Sequence, residues 1–231
     1  MYRNVPGLYC FPDFFSSIEC KSIRNDALAI HGKLQNMIGS SQKSESTSVP
    51  QPDLVKSNQH NLASEQKFIR ARLLDSDQRE LKCEYFTEYG DQGHELAYFR
   101  GNGNLPQFAL HMLPSIQQMI DSLENEIIVV KKQWRLTMNF YKQVEGAVSG
   151  FAFHVDIPAN GVVTMILNIQ RQANFQITDG NRVEDIVLPV GALLLLSGES
   201  RYQWKHRVLA SHNPQSANGE IERISLVLGV Q

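Results

Sequence analysis

The sequence has few cysteines and no long apolar run, and each of these absences narrows its class. Its three cysteines, Cys10, Cys20 and Cys83, are an odd number and form no CxxC pair. This argues against a disulfide framework or a thiolate zinc site and favours reduced thiols. No run approaches the ~18 apolar residues of a membrane span, and the N-terminus has no apolar signal-peptide core. We therefore expect a soluble protein of the cytoplasm or nucleus with no membrane association.

An excess of charge of either sign is also missing. The 231 residues carry 22 Lys and Arg against 24 Asp and Glu, a formal net charge of −2. No global positive field exists to hold nucleic acid, so any polyanion site has to be a local patch. The hydrophobic content of 42% is enough for an ordinary core. We expect a monomer.

The N-terminal half contains two helical patterns separated by a polar segment. Residues 13–34 have an apolar stripe at helical spacing, preceded by a capping box from Ser16 to Glu19. Residues 39–64 are rich in Ser, Gln and Pro and cannot bury themselves, which predicts a mobile insertion with a substrate lid as the alternative. A second helix is predicted over 106–123, with Pro114 inside it.

After residue 126 the pattern changes to short β-branched and aromatic runs separated by Gly, Asn and Pro. Such runs, with no helical pattern between them, favour an antiparallel sandwich or barrel. We therefore predict a mainly β fold with flanking helices, forming one structural unit. Residues 1–125 would supply N-terminal helical support and a substrate-lid region, and 126–231 the catalytic core.

The segment FAFHVDIP places His154 and Asp156 two residues apart. In a strand, alternate side chains point to the same face, so an imidazole and a carboxylate would project together. An HxD pair alone is commonly a satisfied surface or core histidine. His206, at the end of the apolar run Ala192 to Leu196, adds a second imidazole that a barrel can bring beside the pair. Two imidazoles and one carboxylate form the facial triad of non-haem iron oxygenases.

Three further polar residues fall on alternating strand positions. Asn139 and Tyr141 share a face in WRLTMNFY, and Arg223 opens the final strand. A guanidinium fixed inside a barrel matches a carboxylate by a two-point fork, although an arginine at a strand end commonly reaches solvent instead. An amide and a phenol facing that arginine would hold a small dicarboxylate.

In order and spacing, NFY, HVD, GALLLLSGESRYQWKHRV and RISLVL resemble the AlkB family of Fe(II)/2-oxoglutarate dioxygenases. The resemblance is close over about 134–230 and weak upstream, and SGESRYQWKH is particularly similar to tRNA-modifying animal members. It implies a double-stranded β-helix (jelly-roll) core. It also implies Fe(II), 2-oxoglutarate and O2 as cofactors, with ascorbate as a supporting reductant. The residues that match the family's iron ligands are His154, Asp156 and His206. Those that match its cosubstrate contacts are Asn139, Tyr141 and Arg223, with Ser225 beside them.

The final strand departs from the family pattern R-x-N-x-T-x-R. Ser225 replaces the Asn, Val227 replaces the Thr, and Gly229 stands where the second Arg belongs. Because that arginine supports active-site order in repair members, its loss weakens the expectation of repair activity. Arg201 and Arg207 are the candidates for a compensating cation.

The resemblance implies hydroxylation or demethylation of a modified nucleobase in DNA or RNA, including tRNA. A base-flipping enzyme needs aromatic stacking partners and local positive charge. Arg70 and Arg72 are candidates for that charge, as are Lys205 and Arg207, although all four could be solvated. The candidate substrate-contacting aromatics are Tyr85, Phe86, Tyr89 and Trp204. A protein-directed hydroxylase or demethylase of the same family is the alternative, and a non-catalytic binding module is a third hypothesis.

Overall fold

The computed structural model describes residues 4–41, 68–123, 133–212 and 217–231. Nearly all of the polar segment 39–64 that was predicted as a mobile insertion lies outside these residues. Among the described helices, none combines the length and apolar character that a bilayer crossing requires.

The described residues form fourteen strands and three helices. The strands are β1 (Leu8–Phe11), β2 (Phe68–Leu74), β3 (Glu80–Phe86), β4 (His94–Arg100), β5 (Trp134–Val144), β6 (Ala147–Val148), β7 (Phe151–His154), β8 (Val163–Gln170), β9 (Ala173–Thr178), β10 (Val183–Leu188), β11 (Leu193–Leu196), β12 (Lys205–Val208), β13 (Ser211–His212) and β14 (Ile221–Val230). The helices are α1 (Ser17–Ser41), α2 (Gln107–Asp121) and the short α3 (Gly198–Tyr202).

Two antiparallel sheets make up the fold. The large sheet has the order β1-β11-β8-β14-β5-β4-β3-β2, with β6 and β13 attached at its side, and the small sheet has the order β10-β9-β12-β7. The small sheet's own strands alternate along the chain with strands of the large sheet, as in a jelly roll. The prediction of a mainly β fold with a jelly-roll core and flanking helices is confirmed.

Side chains alternate between the two faces of the large sheet, and each face packs in a separate apolar core. On one face, residues such as Met138, Phe140 and Leu226 join the α1 and α2 side chains in one apolar cluster. On the other face, Ile166 and Leu194 join residues of the small sheet, such as Phe175, in a second cluster. The side chains of Arg223 and Tyr141 alternate with the first set, so they lie on the face toward the small sheet.

Helix α1 begins with the predicted capping box. The Ser16 amide donates to Glu19 Oε2 at 2.8 Å, and the Glu19 amide donates to Ser16 Oγ at 3.3 Å. The stripe was predicted to include Ile18, Ile23 and Ala27; Ile23 and Ala27 are buried, whereas Ile18 is 80% exposed. Ile18 precedes the buried Cys20 by two residues, about 200° around the helix, so it lies on the side away from the sheet. Helix α2 spans the predicted region and contains Pro114.

The first half of the chain also supplies strands, which the helical interpretation of 1–125 missed. Strand β1 pairs with β11, and β4 pairs with β5, so four N-terminal strands belong to the same sheet as the C-terminal core. Strands β2 and β3 extend that sheet beyond β4. The extension widens the face that looks toward the small sheet.

Candidate metal and cosubstrate site

The small sheet brings His154 and His206 together. Strands β7 and β12 are antiparallel neighbours, and His206 lies opposite His154 in their register. Strand β7 ends at His154, so Asp156 lies in the segment that follows rather than within the strand. The three side chains each offer a ligand atom, and these atoms all lie within 4.8 Å of one another.

The orientation of these side chains suits a divalent metal ion. His154 Nδ1 donates to the Ala152 carbonyl at 2.8 Å, and this bond holds the ring with Nε2 3.8 Å from Asp156 Oδ1. Burial lowers the pKa of His206 to about 4, so its imidazole is neutral at physiological pH. Asp156 Oδ2 is buried without a hydrogen-bond partner, 3.8 Å from His206 Nε2. A buried carboxylate oxygen without a donor is the group that a cation would satisfy.

Arg201 holds the segment that carries Asp156. Its side chain is 1% exposed and donates from two different nitrogens, Nη1 to the Asp156 carbonyl at 2.9 Å and Nη2 to the Ile157 carbonyl at 2.7 Å. Helix α3 supplies this arginine, and a capping box of Ser197 and Ser200 fixes the start of that helix. Arg201 therefore fixes the backbone that carries the Asp156 carboxylate.

The large sheet places Arg223 and Tyr141 opposite each other on β14 and β5. The Arg223 guanidinium lies 3.8 Å from the centroid of the Tyr141 ring, and its Nη2 donates to the Ser149 carbonyl at 2.9 Å. Burial raises the pKa of Tyr141, while the charge of Arg223 acts in the opposite direction. Arg223 is 2% exposed and its buried Nε has no partner, so a carboxylate would complete its hydrogen bonds.

Asn139 and Ser225 form the next pair along the same two strands, two residues from Arg223 and Tyr141. Both are buried. Ser225 also hydrogen-bonds Tyr141. The four predicted cosubstrate residues therefore form one polar cluster on the large sheet, which we call the cradle, facing the triad on the small sheet.

His94 is a cradle residue that the sequence did not reveal. It stacks on Tyr141 with ring centroids 4.4 Å apart and an interplanar angle of 9°, and its Nε2 lies 3.0 Å from Asn139 Oδ1. The side chain is fully buried, and burial lowers its pKa to about 4. His94 thus contacts both Asn139 and Tyr141 as a neutral imidazole. Only the β4–β5 register, which no local pattern shows, could have identified it.

The lack of space for a side chain explains why glycine occupies position 229. A Cβ at this position would lie 1.8 Å from the Asn160 carbonyl oxygen, so the turn after β7 occupies the place of a side chain. Neither candidate for a compensating cation lies at this place: Arg201 binds the carbonyls of Asp156 and Ile157, and Arg207 Nε donates to Gln176 Oε1 at 2.7 Å.

The four aromatic candidates for substrate contact separate into two pairs. Phe86 and Tyr89 are half-buried and their rings are 5.4 Å apart. Tyr85 points to the helix side of the sheet, where its hydroxyl donates to Glu95 Oε2 at 2.5 Å beneath α1. Trp204 belongs to the core between the sheets, with Arg182 5.0 Å from its ring centroid. The structure thus assigns Tyr85 and Trp204 to packing, because both are at least nine-tenths buried.

Phe86 and Tyr89 belong to a continuous series of rings that we call the aromatic row. It starts at the candidate metal ligand His154, whose ring is 4.3 Å from that of Phe151. Phe151 contacts Tyr89 at 5.7 Å, and Phe86 stacks on Phe68 at 5.3 Å. The last two rings lie on β3 and β2, and the register continues from Phe86 through Leu96 to Asn139. The aromatic row therefore connects the triad with the outer strands of the large sheet.

No protein-family model and no curated protein sequence matches the chain. Solved structures with the same fold include a Pseudomonas putida prolyl-4-hydroxylase, at 12% identity and a TM-score of 0.52 over 98% of this chain and 93% of that one. OsALKBH1 matches at 13% identity and a TM-score of 0.51, over 98% of both chains. A prolyl hydroxylase from Trichoplax adhaerens, in complex with a hypoxia inducible factor peptide fragment, matches at 14% and 0.50, over 98% and 84%. These likenesses establish the fold.

Proposed function

We propose that this protein is an Fe(II)/2-oxoglutarate-dependent dioxygenase that hydroxylates or demethylates a modified nucleobase. His154, Asp156 and His206 would hold the iron, because they offer two imidazole nitrogens and a carboxylate oxygen that has no hydrogen-bond partner. Bound Fe(II) and 2-oxoglutarate supply oxidation of a C–H bond by O2, with release of succinate and CO2.

The cradle residues bind and orient the cosubstrate. The Arg223 guanidinium and the Tyr141 hydroxyl would bind its distal carboxylate, and Asn139 would lie beside it. His94 keeps Asn139 and Tyr141 in place, and as a neutral group it adds no second positive charge to the pocket. The cradle side chains are all buried, and a charged hydrogen bond is stronger in such a low-dielectric environment than in water.

The aromatic row is the observation that favours a nucleobase as the substrate. Its rings start at the metal ligand His154 and continue to half-buried positions on β3 and β2. A planar base taken out of its stack is bound by aromatic side chains, since every base has a π face.

A protein substrate is the second candidate. It is favoured by the fold shared with the Trichoplax prolyl hydroxylase, which was solved with a peptide fragment. A short peptide would contact the same rings through apolar side chains, so the chemical identity of the product distinguishes the two substrates.

The test measures cosubstrate turnover and product mass together. The protein with Fe(II) and 2-oxoglutarate should form succinate, and Asp156→Ala should not. Methylated oligonucleotides, tRNA and cell-extract proteins are then screened for a loss of about 14 or a gain of about 16 mass units, the CH2 and O of this chemistry. A mass change on a nucleoside supports the proposal. A change confined to proteins overturns the nucleobase assignment, and the absence of succinate from wild type favours the non-catalytic module.

A further inference from the structure

Strand β10 forms one edge of the small sheet, and among the strands that the structure describes it pairs only with β9. All six of its residues pair in register, without a bulge. The other sheet edges differ, because β1 and β7 have four residues each and β2 carries Arg70 and Arg72. Short length, bulges, prolines and basic side chains are the features that keep an edge from pairing with another chain. Strand β10 has neither a bulge, a proline nor a basic residue.

The backbone groups that β10 directs away from the sheet belong to Val183, Asp185 and Val187. On β9, the Asn174 carbonyl accepts from the Leu209 amide at 2.9 Å, so Asn174 directs its backbone toward the β12 side, and every second residue of β9 does the same. The β10 residues opposite this series are the three named above. They belong to the pairs of an antiparallel ladder that do not bond each other, so their N–H and C=O groups point outward. No residue that the structure describes forms a hydrogen bond with these outward groups.

The same three residues direct their side chains to the outer face of the small sheet. Val183 and Val187 are 51% and 55% exposed, whereas Ile186 is 1% exposed because it points into the core. Asp185 lies between the two valines and accepts from Gln176 Nε2 at 2.6 Å. It forms no ion pair with any described residue. The edge thus presents an unbalanced carboxylate between two exposed apolar side chains, beside unused backbone donors and acceptors.

We propose that β10 binds an extended segment of a protein partner, which adds to the small sheet as an antiparallel strand. In this mode of recognition the backbone hydrogen bonds supply affinity and the alternate side chains supply specificity. The partner's residues opposite Val183, Asp185 and Val187 would be apolar, basic and apolar, at every second position of the segment. The imidazole ligands lie on β12 and β7, beyond β9, so a partner bound here leaves the metal and cosubstrate site open.

A second copy of this chain fits the edge less well than such a partner. An antiparallel pair of β10 strands that places Val183 opposite Val187 also places the two Asp185 carboxylates opposite each other. Like charges directly opposite each other destabilise a sheet. Asp185 therefore disfavours a homodimer through this edge, while a lysine or arginine in a different chain would balance its charge.

The first test locates the hydrogen bonds. A fluorescein-labelled synthetic peptide, Thr-Val-Thr-Lys-Thr-Val-Thr, is titrated with the full chain, and its anisotropy is measured. The peptide should bind. Methylation of its Val and Lys amide nitrogens should abolish binding, because these amides point to β10, whereas methylation of its Thr amides should retain binding. Absence of binding at millimolar concentrations, or equal effects of the two methylation patterns, would overturn the proposal.

The second test changes the edge itself. Asp185→Lys should weaken binding of the lysine peptide severalfold and should favour a peptide with Glu in place of Lys, since opposed charges attract and like charges repel. Val187→Pro removes an outward amide without removing a bond to β9, and should weaken binding of both peptides. Asp121→Lys makes the same charge change at an exposed position on α2 and is the matched control. Succinate formation should be the same in all three variants.

Circular dichroism and the urea midpoint establish that each variant is folded, and Asp185→Lys tests the edge independently of the proline. An equal loss of peptide binding in Asp121→Lys, or an unchanged preference for the lysine peptide in Asp185→Lys, would refute the edge as the binding site. Sedimentation of the wild type as a dimer that Val187→Pro dissociates would identify a second copy as the occupant, and would overturn the assignment to a protein partner.

Discussion

His206 lies directly opposite His154 on two adjacent strands, with ring centroids 4.3 Å apart. The pKa of His206 is about 4, so its ring carries no charge at neutral pH. Asp156 Oδ2 is buried beside these rings without a hydrogen-bond partner, so the site would take up a cation. We therefore expect His206→Gln to abolish tight binding of Co(II), followed by its visible absorption spectrum. His212→Gln changes an exposed histidine on β13 and should bind the metal like wild type; equal losses in both variants would place the metal elsewhere.

Arg201→Met should weaken metal binding without removing a ligand. The loss of two hydrogen bonds to the Asp156 and Ile157 carbonyls frees the backbone of the carboxylate ligand. Changes in groups that orient ligands typically cost about 10-fold to 100-fold in metal affinity. Arg201→Lys keeps the charge but not the two separate donors, so it should recover only part of the loss. Full recovery of metal affinity in Arg201→Lys would mean that the positive charge, and not the pair of hydrogen bonds, supports the metal site.

Arg223→Lys should raise the KM for 2-oxoglutarate about tenfold or more, since a charged hydrogen bond contributes roughly 1.5–3 kcal/mol. Lysine cannot form the two-point fork or lie flat on Tyr141. Metal affinity should not change, because Arg223 is on the other sheet. Arg207→Lys, on the small sheet and bound to Gln176, is the matched control. An unchanged KM in Arg223→Lys would remove the arginine from the cosubstrate site.

Gly229→Ala should destabilise the fold, although the change adds only one methyl group. The new Cβ would meet the Asn160 carbonyl at 1.8 Å, so the turn or the strand has to move. Overpacking of this kind costs about 1–3 kcal/mol, measurable as a lower urea midpoint. Gly32→Ala on α1 meets nothing within 4 Å and should raise the midpoint. If Gly229→Ala were as stable as wild type, the close approach of Asn160 would be incorrect.

Because the pKa of His94 is low in the folded state, we expect the metal-free protein to lose stability at acid pH. Its folded pKa is about 4, against about 6.5 for an unfolded histidine, so between these values only the unfolded chain takes up the proton. The free energy of unfolding should therefore fall as pH drops from about 6.5 to about 4, by up to about 1.4 kcal/mol per pH unit for this group. Urea unfolding of His94→Gln should show a shallower dependence. His111→Gln, at an exposed position on α2, should retain the wild-type slope.

Local patterns sufficed for part of the fold. The buried strand β11 follows from the unbroken run of leucines, and α1 from its capping box and from Ile23 and Ala27. The strands β2 to β4 were missed because aromatic and charged residues such as Arg70 and Tyr85 do not show which face each side chain takes. The partner strand decides that, and it lies elsewhere in the chain.

The same limit applies to the site. HxD and the final strand predicted the metal and cosubstrate residues because the resemblance supplied their roles, and the structure brings these residues together in two clusters. His94 contacts Asn139 across 45 residues of sequence, and only the β4–β5 pairing places the two side by side. Trp204 was a candidate for substrate contact because it is an aromatic residue two positions before His206, but sequence spacing does not show that its side chain is buried. Contacts that depend on register between distant strands need the folded structure.

Strand β1 pairs with β11, placing Leu8 opposite Leu196. Strand β1 therefore cannot pair until β11, which lies far along the chain, has been made. His154, His206 and Arg223 likewise lie on strands that follow β1 to β6 in the chain. Such high contact order makes folding slow, because loop closure precedes the gain from each pairing. During translation β1 lacks the partner that covers its edge until β11 emerges, and the triad and the cradle can face each other only after β14 has been made.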